Sequence, residues 1–178
     1  IDTYKAKVAA AAIKAGADLV NDIWGLKYDP EMAGLIARTG VACCLMHNKN
    51  NTEYQDFYPD MLRETAECVK LAKEAGIADD KIILDPGVGF GKNYEQNLET
   101  ILHMERFHEL GYPMLLGTSR KSVIGLTLDL PADQRVEGTL VTTVMAVMKK
   151  YAFVRVHDIK ENQRTIRMTE AILRAGEN

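Results

Sequence analysis

The stretch Ile82–Lys92 reads IILDPGVGFGK, and the fold turns on how it is read. Three apolar residues, two of them β-branched, run into an acid, a proline and a glycine-rich loop, the pattern of a buried strand that ends where something approaches its backbone closely. Pro86 has no N–H and biases Asp85 away from helix, so the strand stops there with its carboxylate at the exit. Two glycine signatures fail on this loop. A phosphate-binding Walker loop needs glycine six residues before its lysine, where Pro86 stands, and Asn93 occupies the place of the metal-binding hydroxyl. The dinucleotide fingerprint matches Gly87 and Gly89 but puts Lys92 at its third glycine, and its acid should follow the loop by ~20 residues rather than precede it. A turn that merely happens to be glycine-rich stays open as the alternative.

The 178 residues are 47% hydrophobic and 26% charged with net charge −3, which fits one globular domain over 1–178. That charge lacks the basic footprint of a nucleic-acid binder, and no apolar run approaches the ~18 residues of a membrane span. A cytoplasmic protein without nucleic-acid or membrane partners is expected. Cys43, Cys44 and Cys68 lack metal-ligand spacing and read as small apolar residues in a reducing compartment. The chain opens on IDTYK without methionine, from which further sequence upstream is expected.

Outward from the central stretch, strand and helix signals alternate. Ile1–Asp2 reads as a strand end, followed by a helix from Thr3 to Ala15; Asp18–Asp22 and Val41–Met46 read as short buried strands, each followed by a helix, at 30–38 and 58–75. Asn93 can cap a helix ending near Leu110; Met114–Gly117 empties into Thr118–Ser122, where hydroxyls and cations alternate before another apolar segment. A long helix over 131–150, with Leu140, Val144 and Val147 on one face, leads to a strand at Phe153–Val156 and a last helix over 160–175. Six strands, each followed by a helix and near-continuously apolar, predict an α/β protein with a parallel sheet. Such proteins bind ligands at the carboxyl ends of their strands, where Asp2, Asn21, Asp85, Lys121, Arg155 and His157 fall.

Two strand-tip carboxylates could hold a metal, work as acid and base, or accept from a ligand with adjacent N–H donors such as an amino-pyrimidine ring. Asp2 could equally be a helix cap, Asp85 a turn former, and Arg120 and Lys121 part of a solvated loop. Lys121, Arg155 and His157 add cationic groups suited to phosphates. His103 and His108 fall on a helix and read as surface residues.

IDTYK, NDIWG, CLMHN, LDPGVGFGK, GTSRKSVIG and RVHDIKE, in this order and at these intervals, resemble the dihydropteroate synthases of the folate pathway over the whole chain. The resemblance implies a TIM (β/α)8 barrel, of which this chain would supply six of eight βα units, from the third strand's end to the eighth helix. It implies a transferase, a sulfonamide target, that condenses 6-hydroxymethyl-7,8-dihydropterin diphosphate with 4-aminobenzoate, with Mg2+ assisting and its ligand upstream of Ile1. By resemblance Asp2, Asn21, Met46 and Asp85 hold the pterin with Lys121, Arg155 lies on the ring's face, and Arg155 and His157 take the diphosphate. Phe90, Lys121 and Ser122 resemble the wall of the aminobenzoate pocket, and Asp2, Asp85, Lys121 and Arg155 form the implied catalytic set. The family's mechanism is dissociative, with the carboxylates stabilising a pterin cation. A homodimer is expected, and these residues alone are expected not to turn over. The pterin barrel of corrinoid-dependent methyltransferases and a noncatalytic pterin-binding barrel are the alternatives.

Overall fold

The computed structural model describes residues 1–176. The elements alternate as α1 (Ala6–Lys14), β1 (Leu19–Asp22), α2 (Met32–Thr39), β2 (Ala42–Met46), α3 (Phe57–Glu74), β3 (Ile82–Asp85), α4 (Tyr94–Leu102), β4 (Leu115–Leu116), α5 (Ser122–Leu128), α6 (Val136–Met148), β5 (Phe153–Val154) and α7 (Ile159–Ala175). β1, β2 and β3 pair in parallel, Leu84 bridges Met114 to bring in β4, and β4 pairs in parallel with β5. At the other side Asp2 makes a single parallel bridge to Asn21.

Neighbours in space are therefore neighbours in sequence. A doubly wound sheet would reverse its order at some point; a barrel does not, so this is the strand order of a β/α barrel arc. Five strands are formed, and the sixth expected one, at Ile1–Asp2, consists of that one bridge. Crossover helices cover the sheet's outer face, with Val20, Cys43, Leu45, Ile82, Leu84, Met114 and Leu116 among the buried residues beneath them.

Three elements differ from the sequence expectation. The first helix begins at Ala6 rather than Thr3, because the Ala6 N–H donates to Asp29 Oδ2 at 2.8 Å, a cap supplied from a later loop. Asp2 is thus no helix cap. On α6 the buried residues are Thr139, Thr142, Thr143 and Ala146, while Leu140, Val144 and Val147 are half-buried. The threonines face polar partners: Thr142 Oγ1 lies 2.6 Å from Thr118 Oγ1, and Thr143 donates to Asn162 at 2.6 Å. β5 is shorter than expected and lies at an edge, with Phe153 46% exposed, so it is not a strand buried on both faces.

The helix expected over 131–150 begins only at Val136, after a 3-10 turn over Ala132–Gln134, and ends at Met148. Asn93 caps α4 in a reciprocal box with Gln96, although the helix gives way at His103 to a 3-10 segment over Met104–Leu110. His103 and His108 are exposed, and the three cysteines are free and buried.

The loop after β3 needs glycine for a stated reason. Gly87 has φ +71°, and a Cβ there would stand 2.0 Å from the carbonyl oxygen of His47. Gly111 also has positive φ, at +78°, but a Cβ there would meet nothing within 4 Å. Gly111→Ala should cost ~1 kcal/mol from backbone strain alone, and Gly87→Ala distinctly more because strain and clash add. Denaturant unfolding of the two variants measures the difference; equal losses would show that the loop after β3 can shift to admit a methyl.

Candidate functional site

Each strand-tip residue singled out in the sequence lies at the carboxyl side of the sheet. Asp85 is 4% exposed, opposite the buried Met46 in register, and its Oδ1 accepts the Gly87 N–H at 2.7 Å. Its Oδ2 lies 3.6 Å from where a Cβ would stand on Gly117, and that same point is 3.9 Å from Lys121 Nζ and 4.0 Å from Arg155 Cβ. The face of Gly117 is thus bordered by the Asp85 carboxyl, the Lys121 ammonium and the stem of Arg155. Burial raises the Asp85 carboxyl, opposed first by the charge of Lys121 and then by the Gly87 N–H, Lys92 and Arg155.

Lys121 immediately precedes α5 and is half-buried, not a solvated loop residue. Its ammonium donates to the Val88 carbonyl and lies 4.7 Å from the Phe90 ring centroid. Burial lowers its pKa, while Asp85 and Asp2 pull the other way. Ser122, the first residue of α5, is exposed beside it.

Asp2 and Arg155 belong to the two ends of the strand series, yet Arg155 Nη2 stands 2.9 Å from Asp2 Oδ2. The sheet must curl for them to meet. Both side chains are about half exposed, at 43% and 53%. Next to Asp2 in register, Asn21 keeps its side-chain carbonyl Oδ1 buried without a hydrogen-bond partner, which is a costly state for a polar atom unless something donates to it. Asp2 and Asn21 therefore offer acceptors at neighbouring strand ends, and Asp85 a third one two strands further along.

His157 is exposed and anchored by Ser119, whose Oγ lies 2.9 Å from its Nδ1 and accepts its backbone N–H at 3.2 Å. Arg120 pairs with Asp158, Nη2 to Oδ1 at 2.6 Å, tying the loop after β4 to the loop after β5. It is thereby a tether between loops. Arg135 adds a second tie by donating to the Arg120 carbonyl at 2.9 Å.

Four residues of this region went unassigned in the sequence: Ser119, Lys92, His47 and Glu64. Lys92 is 8% exposed and donates to Gly87 O and Phe90 O, both at 3.0 Å, with His47 Nδ1 also at 3.0 Å. Glu64 Oε2 reaches His47 Nε2 at 2.9 Å from helix α3. A lysine within a glycine run was the available signal, but its partners come from elements far away in sequence. Among the described residues no group of three or more His, Cys, Asp or Glu stands close enough to hold a metal ion. No helix among them is long and apolar enough to cross a membrane.

A barrel arc with convergent acceptors and cations at its carboxyl face defines a ligand-binding α/β protein whose site suits a polar ring joined to an anion. The family model described as pterin binding enzyme matches residues 1–157, and the chain belongs to that family. It is 59% identical over 175 residues to a dihydropteroate synthase of Clostridium beijerinckii and 50% identical over 176 residues to that of Bacillus subtilis. These matches take in 98% and 99% of this chain but 65% and 62% of the relatives, so the chain spans a little under two thirds of their length. Among solved structures, a dihydropteroate synthase from Clostridium difficile in the presence of pteroic acid superposes with a TM-score of 0.94 at 46% identity, covering 97% of this chain and 66% of that one. A Yersinia pestis dihydropteroate synthase with a sulfonamide drug complex gives 0.93 at 38% identity, with coverages of 98% and 66%.

The His47–Glu64 bond makes stability fall in acid. The bond to His47 holds Glu64 at about 2, below its ordinary 4.5, so its contribution is present above pH 4.5 and lost as pH falls towards 2. Burial lowers His47 to about 4 from 6.5, so the unfolded chain takes up that proton first and stability drops between pH 6.5 and 4. Unfolding free energy should decline across both windows, and Glu64→Gln should flatten the lower one. Urea titrations at stepped pH check this; an unchanged slope below pH 4.5 in the variant would remove Glu64 from the effect.

Proposed function

We propose that this chain forms most of a dihydropteroate synthase, which joins 6-hydroxymethyl-7,8-dihydropterin diphosphate to 4-aminobenzoate and releases diphosphate. The observation that carries the reading is the set of acceptors on one arc of strand ends, Asp2 beside Asn21 with its unpartnered Oδ1, and Asp85 two strands further on, near the cation Lys121. A pterin edge presents adjacent N–H donors, and such a set satisfies them.

In this reading Asp85 and Asn21 take the ring's N–H edge in the buried part of the site, against Met46, while Arg155 covers the ring's face. Arg155 and the Ser119-anchored His157 take the diphosphate at the exposed side. As the C–O bond to diphosphate breaks, positive charge spreads over the pterin, and the carboxylates of Asp85 and Asp2 stabilise it where it develops. The aniline nitrogen then attacks from a pocket walled by Phe90, Lys121 and Ser122. Mg2+ belongs to this chemistry by resemblance, with its ligand upstream of Ile1, and the described residues contain no group of three or more His, Cys, Asp or Glu that could hold it. A single domain over 1–178, a homodimer, a cytoplasmic setting and six units of an eight-unit barrel complete the proposal; residues 177 and 178 lie outside the described part.

Asp85→Asn in the intact protein tests the acceptor set. Turning one acceptor into a donor against the ring's own N–H groups should cost ~1 to 3 kcal/mol, up to about a hundredfold in pterin affinity by calorimetry. Unchanged affinity would leave Asp85 as a turn former. Steady-state kinetics test the second pocket: Ser122→Ala should mainly raise the KM for 4-aminobenzoate, whereas Lys121→Ala should damage binding of both substrates and the rate. Equal effects of Ser122→Ala on both substrates would contradict its place in the wall.

A further inference from the structure

The bonds around Lys92 admit one proton assignment. The Glu64 carboxyl is held ionised by its bond to His47, and a carboxylate can only accept, so Nε2 of His47 carries the ring proton. His47 is kept neutral by burial, which leaves a lone pair on Nδ1, 3.0 Å from Lys92 Nζ. Nζ must donate to it, and it donates also to the carbonyls of Gly87 and Phe90. Three donated bonds use all the protons of an ammonium, whereas a neutral amine has two. With all three bonds made, Lys92 is a buried cation with no donor left for a ligand.

Its two carbonyl partners flank Val88, whose own carbonyl accepts from Lys121. The segment Gly87–Phe90 is thus held between two ammonium groups, and Phe90 carries its ring against the second of them. We propose that Lys92, oriented by the Glu64–His47 pair, is a positioning residue that fixes this segment so that Phe90 and Lys121 shape the pocket for the second substrate. The proposal rests on the functional reading above and deepens it. It also predicts that raising the pH weakens the pocket, because loss of the Lys92 proton removes one of the three bonds. Burial lowers this group to about 7, Asp85 and Glu64 oppose that, and Lys121 and Lys49 add to it; Lys27 faces His47 from the same side of the balance.

The test uses the intact protein and three readouts. Imidazole 15N shifts should show His47 protonated at Nε2 between pH 6 and 8; the Nδ1 tautomer would overturn the proton assignment. In Lys92→Met the KM for 4-aminobenzoate should rise at least about tenfold, and by clearly more than pterin affinity falls by calorimetry; equal losses on both, or none, would overturn the positioning role. The wild-type kcat/KM for 4-aminobenzoate should fall on the alkaline side, and Lys92→Met should lose that limb; a limb retained in the variant counts against Lys92. Should Lys92→Met not fold, the wild-type tautomer and alkaline limb decide alone, and absence of either refutes the proposal. If the wild type neither binds pterin nor releases diphosphate, the functional reading fails, whereas normal turnover with an unaffected Lys92→Met fails this inference alone.

Discussion

A carboxylate closed off from water at the end of the central strand sets the terms for everything around it. Asp85 is 4% exposed, and an ionised group there is costly unless charges and hydrogen bonds compensate. The Gly87 N–H, Lys121, Lys92 and Arg155 all act to keep it ionised, yet burial still has the larger effect and its pKa is raised. Those compensating groups come from three loops after three different strands. Each loop must approach closely, which is why Gly87 stands where a Cβ would run into the carbonyl oxygen of His47. The tie between Arg120 and Asp158 and the buried threonines of α6 then hold the outer loops in place.

Exposure grades across the carboxyl face. Asp85, Met46, Lys92 and Ser119 are buried, whereas Asp2, Arg155, Ser122 and His157 are open to solvent. Under the proposed reading this gradient orders the substrate, with the ring's polar edge deep, where hydrogen bonds gain most from a low dielectric, and the phosphates outside, where they can leave. The Asp2–Arg155 pair suits the outer position. An exposed pair of this kind is worth little, ~0.2 to 1 kcal/mol, so a ligand can displace it without a large loss.

Much of this was legible in the sequence because a parallel strand has a simple grammar. A short apolar run ending in a polar residue gives both the strand and its tip, and Asp2, Asn21, Asp85, Lys121, Arg155 and His157 were found that way. The cap at Asn93 was legible for a similar reason, since its partner Gln96 is three residues away. What escaped depends on partners distant in sequence. The start of α1 is set by Asp29, the face of α6 by Thr118 and Asn162, and the state of Lys92 by His47 and Glu64. Helical periodicity favoured Leu140, Val144 and Val147 on α6 because it counts apolar residues and has no way to see a polar loop waiting for threonines.

The order of the strands also decides which contacts carry long-range consequences. With sequence order kept along the sheet, almost every site contact joins loops that follow adjacent strands, as Lys92 joins the loops after β2 and β3. The Asp2–Arg155 pair is different, since it spans from the first bridge to the loop after β5. It can form only if the twist of each strand pair accumulates into a curved arc that brings its two ends towards each other. A ligand held by Asp2 at one end and by Arg155 at the other would therefore bind the curvature itself, coupling the edges of the arc through a contact that no local element can supply.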